Sequence, residues 1–283
     1  MAKVVIVTDS AARLTAEEIK EYDVHIVPLT VQIDGTVYED GVTIHPEEFL
    51  EKMAQSSTLP QTSQPSIGAF KETYDKIYQD QPEAKILSLH LSSGLSGTVG
   101  AAQQAGSLTK ADVTTFDTLL ADRSEGFVVL AAAKAAKAGE DMDTVIATAS
   151  TARSESKIYL SFRSLTNMVA GGRLSKTQGL IGNLLNIKVG AFVDAQGKVD
   201  VMLKGRGMKT ITKFNDEVIE KMKGYTEMLE IGISHAGVAE EAQALANRLN
   251  QIWPDINILI STTTPIVSTH TGLGALAILY RAR

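Results

Sequence analysis

Between the apolar run KILSLHL and the small-residue run VGAAQQA, the stretch Ser92-Ser93-Gly94-Leu95-Ser96-Gly97-Thr98 sets four hydroxyls around two glycines. Such a turn suits either anion binding or nucleophile activation. A phosphate loop of the nucleotide-hydrolase kind needs lysine and then Ser or Thr after its last glycine. Here Gly97 is followed by Thr98 and Val99, and the pair Lys176-Thr177 is preceded by Ser175 instead of glycine. A nucleophile elbow needs Gly-x-Ser-x-Gly, but Thr98 stands where the outer glycine should follow Ser96. Gly272 to Ala277 match a dinucleotide fingerprint in letters only, because the six residues after them leave no room for its βαβ unit and acidic ribose ligand. His25, His45, His90, His235 and His270 show no H-x-x-x-H or H-E-x-x-H spacing, so no metal site is expected.

What survives is the anion affinity of helix N-termini, where unpaired backbone N–H groups and the positive end of the helix dipole face outward. Ser96 and Thr98 open one expected helix. Thr62 and Ser63 lie ahead of another, marked by Ile67, Phe70, Tyr74 and Ile77 at helical spacing. Two such starts at one sheet edge can converge on a single anion, a carboxylate included, without any lysine. Ordinary capping explains hydroxyls at helix starts equally well, and the local pattern leaves both uses open.

The elements that must carry these residues alternate through the first half. KVVIVTDS reads as a buried strand and LTAEEIKEY as a helix with a Thr15/Glu18 capping box. HIVPLTVQIDGTVYED reads as a hairpin around Asp34-Gly35, and HPEEFLEKM as a short helix with Pro46 in its first turn. KILSLHL and DVTTFD are further strands, and LLADRSEGFVVLAAAKAAKAG a long helix. This alternation predicts a largely parallel sheet with its loops at the carboxyl edge. From about residue 155 hairpins take over: YLSFRS is a strand, NIKVGAFVDAQGKVDVML turns at 195–197, and INILIST with TPIVSTHTGLGALAILY supplies closing strands. The expected architecture is α/β, with an N-terminal parallel-sheet domain over 1–155 and a C-terminal α+β domain with a mixed or antiparallel sheet over 156–283.

Composition bounds the function classes. The 283 residues, 44% hydrophobic and 21% charged, are those of an ordinary globule with room for two domains. With no cysteine, thiol catalysis and disulfides are excluded, and a reducing compartment fits. The apolar run at the N-terminus breaks at Thr8-Asp9-Ser10, too early for a leader or a membrane span, so a cytoplasmic protein is expected. A net charge of −6 disfavours nucleic acid. The charge is uneven: from Gly171 to Lys213 eight Lys or Arg face only Asp194 and Asp200, a local +6 that reads as a solvated face or as a docking surface for an acidic partner.

TDSAARLT, TSQPSIGAF, LSSGLSGTVGAA, GGRLSKTQGLIGNLLNIK and TPIVSTHTGLGALAI occur in the order and spacing of the DegV family, which the chain resembles over essentially its whole length, most nearly in the fatty-acid-binding subunits of bacterial fatty acid kinase. The resemblance implies a two-domain protein that encloses one long-chain fatty acid, palmitate- or oleate-like, in a tunnel. It implies Thr62, Ser96 and His270 as carboxylate-binding residues, Ser63 and Arg173 near the head group, and Arg206 in KGRG as the arginine that docks a kinase subunit. On that reading the chain is a non-catalytic lipid-binding protein with no cofactor or metal of its own, and the kinase subunit makes an acyl phosphate that feeds phospholipid synthesis. One departure stands out: many members carry a tyrosine and a variable residue after SGT, where this chain has Val99 and Gly100. Two other readings are carried beside it, a stand-alone serine hydrolase or acyltransferase using Ser96, and a regulatory protein whose buried lipid is structural.

Overall fold

The computed structural model describes residues 3–174 and 187–283. The first half runs β1 (Val4–Asp9), a 3-10 turn (Ser10–Ala12), α1 (Ala16–Tyr22), β2 (His25–Val27), β3 (Thr30–Ile33), β4 (Thr36–Glu39), α2 (Pro46–Gln55), β5 (Gln61–Ser63), α3 (Ile67–Asp80), β6 (Lys85–His90), α4 (Thr98–Gly106), β7 (Asp112–Asp117), α5 (Asp122–Lys137) and α6 (Met142–Glu155). The second half runs β8 (Ser156–Phe162), α7 (Thr166–Ala170), β9 (Ile187–Val193), β10 (Val199–Arg206), α8 (Lys209–Lys223), β11 (Met228–His235), α9 (Ala239–Ile252), β12 (Ile258–Thr262), α10 (Pro265–Thr271) and β13 (Leu276–Ala282). The expected Lys176-Thr177 pair and the middle of the GGRLSKTQGLIGNLLNIK motif lie outside the described residues.

Three sheets organise the molecule. The N-terminal domain carries a parallel sheet ordered β2-β1-β6-β7, and the C-terminal domain a mixed sheet ordered β10-β9-β8-β13-β11-β12, in which β11 and β12 are the parallel pair. A small antiparallel sheet, β4-β3-β5, stands beside them. The expected single hairpin divides at Pro28: His25–Val27 joins β1 in the parallel sheet, and only β3 and β4 form the hairpin. Proline has no N–H to continue a ladder, and Asp34 (φ 48°) with Gly35 (φ 78°) supplies the left-handed turn that such a hairpin favours. The expected strand TPIVSTHTGLGALAILY also divides. Thr264 caps a helix, its Oγ1 accepting from Val267 N–H at 3.3 Å, and Pro265 takes the first helical position. Cap and proline together outweigh the β-branched residues that follow.

Helix α5 lies between the two large sheets and touches β1 on one side and β8, β11 and β13 on the other. Every residue from Asp122 to Ala133 is buried, as expected of a helix with sheet on both faces. Small residues make the fit: a side chain on Gly126 would meet the carbonyl of Ala12. Burial of Phe127, Val128, Val129 and Leu130 contributes about 1.5–3 kcal/mol each. Arg123 adds a tie to α1, pairing with Glu18 through Nη1 and Nη2 at 2.6 and 2.7 Å.

Behind β1 and β6 a polar chain crosses the core. Tyr74 Oη meets Ser88 Oγ at 2.7 Å, Ser88 Oγ meets His90 Nε2 at 2.7 Å, and His90 Nδ1 meets Asp9 Oδ2 at 3.0 Å. Asp9 also accepts from the N–H groups of Ala11 and Leu91. Ser88, His90 and Asp9 have the order of a hydrolase triad, yet all three are fully buried, and none lines the cavity between the sheets. Their work is to hold the carboxyl ends of β1 and β6 in register.

Candidate functional site

A cavity of about 370 Å³ lies between the sheets, within the range of small-molecule sites, about 300–1,000 Å³. Thr62, Ser63, Ser96, Arg173 and His270 all line it, so five side chains singled out in the sequence share one space. Much of the remaining wall is apolar, with Leu29, Leu91 and Leu95 on one side and Ile158, Leu160 and Leu279 on the other. Arg206 is not part of it. This arginine ends β10 opposite Ile187 and is exposed, as are Lys204 and Lys209 near it.

Each polar side chain is placed by a different element. Thr62 sits on β5, opposite Val31, and helix α3 starts only at Ile67 with Ser66 as its cap. The expected role of Thr62 and Ser63 at a helix start is therefore corrected: they approach the cavity from a strand. Thr62 Oγ1 lies 2.8 Å from His270 Nε2 on α10. Ser96 Oγ bonds Thr98 Oγ1 at 2.9 Å, just ahead of α4, whose N-cap Gly97 offers no side-chain cap. Arg173 is held by two carbonyls, Nε to Leu95 O at 3.2 Å and Nη1 to Gly171 O at 2.5 Å. These bonds use two of the five N–H donors of a guanidinium.

His270 is the most constrained of the set. Its Nδ1 is buried with no hydrogen-bond partner among the described residues, and a side chain at Gly171 would collide with the ring. Burial, and then the nearby charge of Arg173, pull its pKa down to about 4. The imidazole is therefore neutral near pH 7, and Thr62 and His270 form a neutral pair beside a permanent cation. That combination can accept a carboxylate through hydroxyl, imidazole and guanidinium donors without a second fixed positive charge. Ser96 Oγ, by contrast, makes its hydrogen bond to Thr98 Oγ1 and none to a histidine among the described residues.

Helix α10 is fixed from several sides. Asn167 Nδ2 donates to Thr269 O at 2.9 Å, and the buried Asp40 carboxylate accepts from Ser10 Oγ at 2.9 Å and from the N–H of Ile266. Burial pushes the Asp40 pKa up to about 7, against the pull of the Ser10 hydrogen bond and with a further push from Asp9. A folded-state pKa above the unfolded one stabilises fully below about pH 4, and that contribution is lost as pH rises through 7. Asp40→Asn should therefore gain stability over the parent between pH 4 and 8, by an amount on the order of 4 kcal/mol at the upper end. Urea titrations across that pH range check it; a parallel pair of stability curves would contradict it.

Two features escaped the sequence reading. Ser92 and Gly94 do not face a ligand: Ser92 Oγ donates to Gly197 O at 2.7 Å, and a Cβ on Gly94 would stand 2.7 Å from the same oxygen. Half of the glycine turn is thus a seat for the β9–β10 turn, whose flanking residues Val193 and Val199 line the cavity. Gln64 also lines it, and its side-chain oxygen occupies the space that a side chain at Gly97 would need. Both glycines of the turn thus face protein, Gly94 the β9–β10 turn and Gly97 the Gln64 side chain.

The family model described as "Uncharacterised protein, DegV family" matches residues 3–283. The chain belongs to the DegV family. A DegV domain-containing protein of Streptococcus pneumoniae serotype 4 is 39% identical over 281 residues, 99% of either chain. One from Lactococcus lactis subsp. lactis is 40% identical over 277 residues, 97% of either chain. Among solved structures, a fatty-acid-binding DegV family protein from Thermus thermophilus superposes with a TM-score of 0.86 at 28% identity, over 99% of this chain and 100% of that one. DegV from Bacillus subtilis, described as a fatty acid binding protein, gives 0.89 at 28% identity over 100% of both chains. The parallel and mixed sheets of this DegV chain are thus those of the family fold. Among its described residues no helix is long and apolar enough to cross a membrane, and no group of three or more His, Asp or Glu is placed to hold a metal ion.

Proposed function

We propose that the chain binds one long-chain fatty acid in this cavity and presents its carboxylate to a separate kinase subunit, which would phosphorylate it to an acyl phosphate for phospholipid synthesis. The observation that carries the reading is a single cavity lined by these five polar side chains and, along much of its wall, by hydrocarbon. Fatty-acid-binding DegV proteins of the same fold support it. Burying roughly 14 methylenes at about 0.8 kcal/mol each would contribute on the order of 11 kcal/mol before ordering costs, so the tail supplies the affinity. Thr62, Ser96 and His270 orient the carboxylate, with Ser63 and Arg173 beside them. The chain itself is not the catalyst; ATP and metal come with the kinase. On this reading the domains divide near residue 155 with the cavity at their junction, and a cytoplasmic location fits the chemistry of such a partner.

Protein purified from a bacterial host should release a stoichiometric fatty acid on denaturation, read by mass spectrometry. Protein that carries no lipid and takes up neither oleate nor palmitate would overturn the proposal. Thr62→Val and Ser96→Ala should each weaken head-group fixation by about 1–3 kcal/mol, lowering acyl phosphate yield with an added kinase subunit and ATP more than lipid content. Arg206→Ala should leave lipid content intact and weaken association with the kinase subunit, increasingly as salt rises. An emptied cavity in that variant would contradict the docking role.

A further inference from the structure

Of the described residues that line the cavity, only Ser63, Gln64 and Gly97 are exposed; the others are buried or half-buried. The cavity therefore meets solvent where the end of β5 faces the start of α4, beside Thr62 and Ser96. Gln64 stands in that opening, one residue past β5. Its amide lies against Gly97: a Cβ there would collide with Gln64 Oε1 and stand 3.3 Å from Nε2. Gly97 has φ of −79°, which any residue adopts, so it is the amide, and not the backbone, that a side chain at position 97 would disturb.

The amide is uncommitted. Gln64 makes no side-chain hydrogen bond among the described residues, which leaves two N–H donors and a carbonyl oxygen at the opening. Pro65 follows it and keeps its backbone extended, so movement falls to the side chain. Thr62, Ser96, Arg173 and His270 are half-buried and meet a carboxylate from the protein side. An oxygen turned to solvent needs a donor at the opening itself. Of the two exposed side chains there, Ser63 is short, whereas Gln64 carries its donors across to Gly97. An uncharged amide orients such an oxygen without locking it into an ion pair.

We infer that Gln64 is a further head-group residue, which closes the opening and donates its amide N–H to the solvent-facing oxygen of the carboxylate, the oxygen that a kinase would phosphorylate. This rests on the fatty-acid reading above and assigns the side chain that controls access to the same site.

The test loads full-length protein with labelled oleate and displaces it with unlabelled oleate or with methyl oleate, and the ratio of the two affinities is the readout. Gln64→Leu keeps the bulk and removes the donors, so it should lower the acid-over-ester ratio about fivefold. Gln64→Glu keeps the shape but sets a second negative charge beside the carboxylate at about pH 8, and should lower the ratio further. Gly97→Ala, which drives the amide from its place, should match Gln64→Leu and supplies the reading if that variant does not fold. An unchanged ratio in the folded variants overturns the inference alone. So does an equal loss of acid and ester, which would make Gln64 a steric plug and no donor. A parent protein that retains no oleate overturns the fatty-acid reading with it.

Discussion

His90→Leu should cost about 3–5 kcal/mol of folding stability, the range for removing one member of a buried charged or hydrogen-bonded pair. The imidazole joins Ser88 and Tyr74 on one side to Asp9 on the other, all in the core. Leucine fills the volume but leaves the Asp9 carboxylate with the N–H groups of Ala11 and Leu91 alone, and it strips a partner from Ser88. Chemical denaturation with matched m-values would measure the loss. Ser88→Ala should cost less, about 1–2 kcal/mol, because the His90–Asp9 contact survives. A loss under 1 kcal/mol for His90→Leu would mean that the chain of hydrogen bonds contributes little.

Gly197→Val should be the other severe change, and it reaches function as well as stability. Gly197 has φ of 72°, a region that β-branched residues avoid. A side chain there would collide with Ser92 Oγ and come within 3.1 Å of Leu119 Cα. Backbone strain of about 1–3 kcal/mol adds to the lost Ser92–Gly197 hydrogen bond, about 0.5–1.5 kcal/mol. The turn would lift from the Ser92–Gly94 seat and carry Val193 and Val199 away from the cavity wall. Bound fatty acid should then exchange faster than in the parent, as measured by displacement with labelled acid. Parent-like stability and exchange together would remove the seat from the account.

The same turn shows where a sequence stops being legible. Strand and helix alternation foretold the parallel sheet, and Asp34-Gly35 foretold a hairpin, because those signals are local in origin. Thr62, Ser96 and His270 were legible as a set only through family motifs, since nothing local brings positions 62 and 270 to 2.8 Å. TPIVSTHTG read as strand because Ile, Val and Thr dominate it, although Thr264-Pro265 already held the cap that makes it a helix. Ser92 and Gly94 read as ligand chemistry because their partner, the carbonyl of Gly197, is about a hundred residues away in the chain.

The order β10-β9-β8-β13-β11-β12 also governs how the molecule assembles. Strand β13 lies between β8 and β11 and pairs antiparallel with both. Without it the β8–β9–β10 and β11–β12 groups have no ladder in common, so the floor of the cavity is two separate ribbons. Helix α10 precedes β13 by the short segment 272–275, so the strand that joins the ribbons also anchors the helix that carries His270. Pairings of such high sequence separation form slowly, so completion of the sheet and of the Thr62–His270 pair depend on the same strand.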